Sequence, residues 1–369
     1  MDQNSPLPLT VQIVQHLRLG GIEMLALELL RSQNGTHLMH LVSLEGSAEE
    51  AFQHWPQLRE YADQLTFLEK PPGIHLLTTL KLARFLGRRK VSNVHTHHIG
   101  PLLYGGFAAR LAGIKTLIHT EHDSWHLHHE PTRRLQKLLL RLLRPKVVAD
   151  SKHVADELHV FYPFLNSQII MNGIDTARFI PGDKQKARKM FRLPRKATLI
   201  GCAARLEPVK NHVLLLQALR QLPKECHLAL AGSGSIEESL KHQATVLDVA
   251  DQVHFLGHVS DMVSFYQALD LFCLPSLQEG LPLSLLEAQA TGVPVIASNV
   301  GSCREAIAPE AGTLFTSNDL PGLLDAFKRR LNHTSSTSTR PFILNHFSLE
   351  RMVSHYQSLC APKAKEVVS

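Results

Sequence analysis

Long hydrophobic runs are missing from this sequence: none reaches the about 18 apolar residues that a membrane-spanning helix requires. The first ten residues, MDQNSPLPLT, contain no basic stretch followed by an apolar one, so we do not expect a secretory signal. Cysteine is scarce, with five residues, all in the second half, and no C-x-x-C pair. This usage predicts reduced structural thiols in a cytoplasmic protein rather than a disulfide framework.

Acidic residues are few in one part of the chain. Between His75 and Lys146 there are thirteen Lys or Arg and three acids, although the net charge of the whole chain is only +6. Such a basic surface attracts anions: phospholipid head groups, phosphorylated substrates or nucleic acid. No zinc-finger, homeodomain or RNP pattern accompanies the basic residues, so we predict no nucleic-acid partner.

Short β-prone runs alternate with amphipathic helical stretches along the whole chain. This alternation predicts an α/β protein with a doubly wound parallel sheet in each half, that is, two Rossmann-like domains facing a cleft. Turn signals at Asn172-Gly173 and Pro181-Gly182 mark the boundary region. We therefore predict domains at 1–175 and 176–345, with a final helix at 346–360.

The stretch from Leu274 to Ala297, LPSLQEGLPLSLLEAQATGVPVIA, contains the most specific signal. Glu279 lies in a loop that Gly280 and Pro282 define, and a helix is predicted to open near Leu283 or Ser284 and to stop before Gly292. Glu287 then lies about one turn inside that helix. Because a helix N-terminus offers unpaired N–H groups and a positive dipole end, the two glutamates would flank a phosphate site.

Two other loops of the second half follow predicted strands. Arg205 and Lys210 lie in one, and Gly232 and Gly234 in the next. Two fixed cations beside a helix N-terminus favour a diphosphate, and they neutralise it without a metal ion. The alternatives are ordinary surface charges for the cations and a plain turn for the glycines.

The first half places polar residues after two strands and glycines after a third. Gly20-Gly21 predicts either a tight turn or a close backbone approach to a ligand. His95, His97 and His98 end one strand, but alternation along a strand separates them onto two faces, so a metal site is disfavoured and a rim position is predicted for His97 or His98. His119 ends another strand, as a functional residue or as a hydrogen-bonded core histidine.

The segment Thr132–Lys146, TRRLQKLLLRLLRPK, predicts a helix with leucines on one broad face and arginines on the other. It is either a core-packed helix with a solvated basic face or an interfacial helix on an anionic membrane.

Together these motifs resemble those of the retaining glycosyltransferases of family four, which have the GT-B fold. The resemblance is carried in the second half by GCAARLEPVKNH, LAGSGS, VHFLGHVSD and EGLPLSLLEAQATGVPVIASNVGS, and in the first half by LGGIE, IHTEHDSWH and MNGIDTARF. The two glutamates match the family pattern of glutamate, seven residues, glutamate.

The resemblance implies a role for each matching residue. Arg205 and Lys210 would bind the diphosphate and stabilise it as it leaves, while Glu279 and Glu287 would contact the transferred sugar and the ribose. The other donor-binding and catalytic residues would be Gly21, Gly232, Gly234, Leu281, Leu283, Ser284 and His119. In this family pattern His119 lies beside the transferred sugar or the acceptor, and the final helix crosses back to the first domain.

The resemblance also implies an activity: a metal-independent hexosyltransferase that moves a sugar from a nucleotide-diphosphate donor, expected to be a UDP-sugar, with retention of configuration. The acceptor would be a glycan or a lipid-linked intermediate in cell-surface polysaccharide or lipopolysaccharide synthesis. No cofactor is expected, and the enzyme would be cytoplasmic and peripheral on the inner face of the membrane. The alternatives are a nucleotide-sugar epimerase of the same fold and a non-catalytic scaffold subunit.

Overall fold

Strands and helices alternate from one end of the described chain to the other. The computed structural model describes residues 7–33, 37–309, 311–332 and 338–360. The strands in these residues are β1 Leu9–Val14, β2 Leu38–Ser43, β3 Leu65–Phe67, β4 Asn93–His97, β5 Thr116–Glu121, β6 Lys146–Ala149, β7 Ser167–Ile169, β8 Thr198–Ala203, β9 Cys226–Ala231, β10 Val253–Gly257, β11 Leu271–Leu274, β12 Val295–Ser298 and β13 Gly312–Phe315.

The helices lie between these strands and after the last one. They are α1 Gly21–Arg31, α2 Ala48–His54, α3 Leu76–Arg88, α4 Ile99–Pro101, α5 Phe107–Leu111, α6 Glu130–Leu143, α7 Lys152–Phe161, α8 Lys184–Met190, α9 His212–Leu219, α10 Glu237–Val246, α11 Met262–Ala268, α12 Leu283–Ala290, α13 Cys303–Ala306, α14 Leu320–Asn332, α15 Arg340–His346 and α16 Leu349–Cys360. A π-helical turn, Leu102–Gly106, joins α4 to α5.

The chain divides into two units, one of residues 1–172 and 350–369 and the other of residues 173–349. The first unit contains a seven-stranded sheet in the order β3-β2-β1-β4-β5-β6-β7, with every pair parallel. Val11 and Ile13 of β1 are fully buried between the flanking strands and the helix layers. Strand order reverses between β1 and β4, so ligands are expected outside the carboxyl ends of these strands.

The second unit contains a six-stranded parallel sheet in the order β10-β9-β8-β11-β12-β13. Its central strands read as continuous apolar runs, such as LFCL in β11, because both faces of a parallel sheet are covered by helices. Strand order reverses between β8 and β11. The prediction of two doubly wound parallel sheets is therefore confirmed, and the architecture is that of the GT-B fold.

The helix ends follow the expected chemistry. Ser151 caps α7, where its side chain accepts a hydrogen bond from Val154 N at 3.2 Å. The last helix, α16, belongs to the first unit from residue 350 onward, and the Tyr356 hydroxyl lies 3.0 Å from Thr120 Oγ1 of β5. Within the described residues, every helix is too short or too polar to cross a bilayer.

Candidate active site

The second unit gathers three loops at the carboxyl ends of β8, β9 and β11, where its strand order reverses. Backbone hydrogen bonds connect them: Leu206 N donates to Ser233 O at 3.0 Å, and Leu277 N donates to Val209 O at 2.8 Å. The residues predicted from three separate motifs therefore lie in one loop cluster, at the position where α/β sheets bind ligands.

Two of these loops approach each other so closely that glycine is required. Gly232 has a φ of +140°, and a Cβ atom there would lie 2.1 Å from Ala204 O. A Cβ atom on Gly234 would lie 2.3 Å from Leu206 O. The plain-turn alternative for these glycines is thus incomplete, because they also permit the loop after β9 to pack on the loop that contains Arg205.

Lys210 and Glu279 form an ion pair between two of the loops, with 2.6 Å from Nζ to Oε1. The lysine ends a short 3₁₀ turn, Pro208–Lys210. Ser276 Oγ donates to the same glutamate oxygen at 2.6 Å. Glu279 is buried and Lys210 is half-buried, so the pair is held in place rather than free in solvent.

Glu287 lies on α12, which begins at Leu283 and ends at Ala290, as the sequence predicted. The Tyr266 hydroxyl donates to Glu287 Oε2 at 2.7 Å. Burial, together with the Glu287 charge, raises the pKa of this tyrosine well above its usual range, so it stays a hydrogen-bond donor. The carboxylate is thereby oriented by a buried partner that the sequence analysis missed.

The remaining predicted residues of the second unit differ in exposure. Arg205 is exposed, while Leu281 is 6% exposed and lies just before the helix. Leu283 and Ser284 are half-buried in the first turn of α12. A charged ligand would therefore meet one exposed cation, one half-buried cation and a helix N-terminus in the same loop cluster.

In the first unit, the glycine pair follows β1 at the point where strand order reverses. Gly21 is the first residue of α1, and a Cβ atom there would meet nothing within 4 Å. The crowded position is Gly20, where a Cβ atom would lie 2.4 Å from Glu23 Oε2. The predicted role of Gly21 stays a prediction.

His119 is fully buried on β5. Its Nδ1 lies 3.0 Å from Thr96 Oγ1, and its Nε2 lies 2.6 Å from Glu121 Oε1. The ring thus has an internal partner at each nitrogen, as in the core-histidine alternative, and a contact with a sugar stays a prediction.

The histidines of β4 are split as strand alternation predicts. His95 and His97 lie on one face with ring centroids 4.2 Å apart, and burial lowers the pKa of His95 to about 3. The rim position predicted for His97 is wrong, because the ring is 1% exposed and lies 3.0 Å from His122. His98, just after the strand, keeps 26% of its side chain exposed.

His98 belongs to a second group, with Glu121, Asp123 and His126, in which each imidazole lies between the two carboxylates. From ring nitrogen to carboxylate oxygen, His98 lies 3.7 Å from Glu121 and 3.4 Å from Asp123. His126 lies 3.6 Å from Glu121 and 3.4 Å from Asp123. Burial raises the pKa of Glu121, but the imidazoles of His119, His98 and His126 outweigh it, so the net pKa is lowered. His98, Asp123 and His126 place ligand atoms within 4.8 Å of one another and are the residues that could hold a metal ion.

The sequence analysis also missed a buried polar pair at this edge. Asn172, interpreted only as part of the boundary turn, donates from Nδ2 to Asp150 Oδ2 at 3.0 Å. Asp150 Oδ2 also lies 3.4 Å from His122 Nδ1. The sequence could have placed Asp150 at this edge, because β6 runs parallel to β5 and therefore ends at the same edge of the sheet.

Two family models match successive parts of this chain. The model of glycosyltransferase family 4 matches residues 19–178, and that of the glycosyl transferases group 1 matches residues 183–338. The chain is 29% identical over 307 residues to the UDP-Gal:alpha-D-GlcNAc-diphosphoundecaprenol alpha-1,3-galactosyltransferase of Escherichia coli, covering 76% of this chain and 78% of that one. It is 26% identical over 339 residues, or 83% and 84% of the two chains, to a GDP-mannose-dependent monoacylated alpha-(1-6)-phosphatidylinositol monomannoside mannosyltransferase of Corynebacterium glutamicum.

A solved structure shares the fold along nearly the whole chain. Anabaena HepE in complex with UDP and glucose aligns with a TM-score of 0.83 and 19% identity, covering 95% of this chain and 98% of that one. The two family models together match most of the chain, and the fold of both units agrees with them. The chain belongs to glycosyltransferase family 4.

Proposed function

We propose that this glycosyltransferase moves a sugar from a UDP-sugar to a lipid-linked or glycan acceptor, with retention of configuration and without a metal ion or other cofactor. The observation that carries the proposal is the ion pair of Lys210 and Glu279, 2.6 Å apart, in the loop cluster where the strand order of the second unit reverses. A cation there is fixed where a diphosphate would lie, and a carboxylate is fixed beside it.

The chemistry follows from where charge develops. Breaking the bond between the anomeric carbon and the diphosphate gives an oxocarbenium-like sugar and builds negative charge on the leaving group. Lys210 and Arg205 would stabilise that charge more in the transition state than in the ground state, each by about 2 to 4 kcal/mol. The N–H groups of the first turn of α12, around Leu283 and Ser284, would add the positive end of a helix dipole.

The carboxylates would recognise hydroxyl groups. Glu279 would accept hydrogen bonds from the transferred sugar, and Glu287, oriented by Tyr266, from the ribose. Attack from the face that the diphosphate leaves retains the anomeric configuration and needs no protein nucleophile. With this mechanism the loop cluster has to supply only hydrogen-bond acceptors and cations.

The acceptor class is supported by both relatives, and the UDP-sugar donor by one of them, since the relative from Corynebacterium glutamicum is GDP-mannose-dependent. A UDP-sugar donor and a diphosphoundecaprenol-linked acceptor are named for the relative from Escherichia coli, and an acylated phosphatidylinositol mannoside for the one from Corynebacterium glutamicum. Both acceptors contain lipid. We infer the same acceptor class here, for a cytoplasmic enzyme that builds cell-surface glycans.

Helix α6 supports a peripheral position on an anionic membrane. Its buried face contains Leu139, Leu140 and Leu143. Leu135, Leu138 and Leu142 are instead 38%, 61% and 60% exposed, and basic residues adjoin them. The prediction of leucines on one broad face and arginines on the other is thus wrong in detail, and the exposed leucines strengthen the interfacial interpretation.

A transfer assay tests the proposal. Purified protein would be incubated with UDP-, GDP- and ADP-sugars and with short-chain lipid diphosphate sugars, and the linkage of any product would be read by proton NMR. We expect transfer from a UDP-sugar with its α-configuration retained. An inverted linkage, or conversion of the donor to an epimer without any acceptor, would contradict the proposal.

Variants then connect the activity to the loop cluster. Arg205→Ala changes an exposed side chain and does not endanger folding, and Lys210→Ala removes the ion pair with Glu279. We expect each to lower turnover at least about tenfold. Lys241→Ala, which removes a half-buried lysine of α10 that pairs with Glu237, is the matched control and should leave turnover unchanged.

A further inference from the structure

We propose that His98, Asp123 and His126 of the first unit bind one divalent transition-metal ion of the zinc class, with Glu121 behind the His98 imidazole and Gln136 behind the His126 imidazole. The three ligand residues offer atoms that all lie within 4.8 Å of one another and are half-buried, so an ion can reach them. Two imidazoles with a carboxylate suit a first-row transition ion better than Mg²⁺ or Ca²⁺, which prefer oxygen ligands.

The spacing of these atoms suits metal ligands as well as long hydrogen bonds, with one Asp123 oxygen facing each imidazole. His98 Nε2 lies 3.4 Å from Asp123 Oδ2, and His126 Nδ1 lies 3.4 Å from Asp123 Oδ1. Well-formed hydrogen bonds between such atoms span about 2.7 to 3.2 Å. Two ligands of a tetrahedral Zn²⁺ ion, each at about 2.0 to 2.1 Å, are about 3.3 to 3.4 Å apart.

The tautomer of His126 is fixed by Gln136. The amide nitrogen of Gln136 donates to Glu121 Oε1, so its amide oxygen faces His126 Nε2 at 2.7 Å and accepts from it. In the neutral ring, Nδ1 then presents a lone pair toward the Asp123 carboxylate. The neutral ring therefore offers this lone pair, 3.4 Å from Asp123 Oδ1, to an ion that the carboxylate also binds.

A fully buried carboxylate oxygen points into the same group. Glu121 Oε2 has no hydrogen-bond partner in the described part of the chain, and it lies 3.7 Å from His98 Nδ1 and 3.6 Å from His126 Nε2. These are the nitrogens that face away from Asp123. A carboxylate behind the second nitrogen of a histidine ligand commonly orients the ring and makes it a better ligand. Glu121 has this position for His98, while the Nε2–H of His126 goes to Gln136.

The backbone holds His98 in this position. Its φ of +66° and ψ of 171° are costly for a residue with a Cβ atom. This conformation turns the chain at the end of β4, immediately before α4, and leaves the ring between Glu121 and Asp123. Side chains from the ends of β4 and β5 and from the short turn Trp125–His128 thus converge on one point.

This inference is independent of the proposed transfer. The ligand residues belong to the first unit, whereas the proposed diphosphate site belongs to the second, and the metal-free neutralisation predicted there concerns Arg205 and Lys210 only. Metal binding is measured with neither donor nor acceptor present. Either proposal can therefore fail while the other stands.

The test is calorimetric titration of the chelator-treated full-length chain with Zn²⁺, together with the visible spectrum of its Co²⁺ complex. We expect one ion per chain and the intense Co²⁺ bands of a low-coordinate site. His98→Ala, His126→Ala and Asp123→Asn should each lower the affinity at least about tenfold and remove those bands, and Glu121→Gln should lower the affinity about 10- to 100-fold.

The control is His128→Ala, which removes a neighbouring histidine with 67% of its side chain exposed. It matters because the chain contains 23 histidines, and others can bind Zn²⁺ weakly. It should retain the wild-type affinity and spectrum. If the buried Glu121 variant does not fold, Asp123→Asn still decides the question, because 18% of that side chain is exposed.

Two results would overturn the inference. One is the lack of stoichiometric Zn²⁺ binding by the wild-type chain. The other is an affinity that the three ligand substitutions leave unchanged. In either case the four side chains would form a network of imidazolium–carboxylate ion pairs only.

Discussion

Single side chains of the second unit form two carboxylate–cation networks that serve different purposes. Lys210 and Glu279 pair between loops at the carboxyl edge of the sheet. Arg188, which is 3% exposed, pairs instead with Asp270, and Lys184 binds the other oxygen of that carboxylate. The first pair lies in the loop cluster of the proposed diphosphate site, and the second joins α8 to the start of β8 and of β11.

We expect Asp270→Asn to destabilise the protein by about 3 kcal/mol, because it leaves the buried Arg188 guanidinium without its counter-charge. The carboxylate also accepts from Leu199 N at 2.7 Å. Urea unfolding measures the loss. The matched control, Asp325→Asn, breaks an exposed pair with Arg329 and should cost less than about 1 kcal/mol.

The difference in unfolding free energy between wild type and Asp270→Asn should depend on pH in one direction. Burial raises the pKa of Asp270, but Lys184, the Leu199 N–H and Arg188 outweigh it, so the net pKa in the folded state is lowered. The stabilisation is then complete above the unfolded pKa of about 3.9 and is lost as the pH falls through the folded value. The gap between wild type and Asp270→Asn should shrink below about pH 4; a gap that stays constant would contradict this assignment.

Glu287→Gln keeps the shape of the side chain and removes its charge. Because hydrogen bonds to a charged acceptor contribute about 1.5 to 3 kcal/mol, we expect nucleotide-sugar affinity to fall roughly ten- to a hundredfold. Titration calorimetry measures it. Glu305→Gln on α13 is the control, and equal affinity in wild type and Glu287→Gln would remove this residue from the site.

How much of the site could be predicted depends on the sequence distance between partners. Glu279 and Glu287 are separated by one turn and part of one helix, so local spacing was sufficient to identify them. The partner Tyr266 needed the packed structure, because no local pattern connects a tyrosine of α11 to a glutamate of α12. The same reason explains why Asp123 and His126 were not grouped with His98.

At the scale of elements, helix α6 shows which features the sequence predicts and which depend on packing. Its amphipathic pattern predicted the helix, which runs from Glu130 to Leu143. The pattern alone could not say that Leu135, Leu138 and Leu142 remain exposed, since that depends on which neighbours cover the helix. These leucines follow the spacing i, i+3, i+7 and so form one stripe along the helix.

We expect α6 to bind anionic vesicles. Arg134, Lys137 and Arg141 are exposed, and each basic residue near an anionic membrane contributes about 1 kcal/mol. Replacing all three with Ser should therefore weaken co-sedimentation with phosphatidylglycerol vesicles by about a hundredfold. The same replacement of Lys186, Lys189 and Lys196, which are exposed in the second unit, removes equal charge. An equal loss in both triple variants would show only a general effect of net charge.

At the scale of the whole molecule, strand and helix alternation was sufficient to predict both sheets. Every connection between adjacent parallel strands needs a crossover, and short apolar runs between glycine and proline turns are typical of the buried strands of a parallel sheet. The first unit was harder to interpret for function, because its polar residues interact across β4, β5 and β6 rather than along the chain.

The most direct test concerns the loop cluster of the second unit. Titration calorimetry of UDP should be run on the wild-type chain, Lys210→Ala, Arg205→Ala and the control Lys241→Ala. We predict one site per chain, at least about tenfold weaker in the first two variants and unchanged in the control. Equal affinity in all four proteins, or no binding of UDP to the wild type, would contradict the assignment of these loops to a sugar nucleotide.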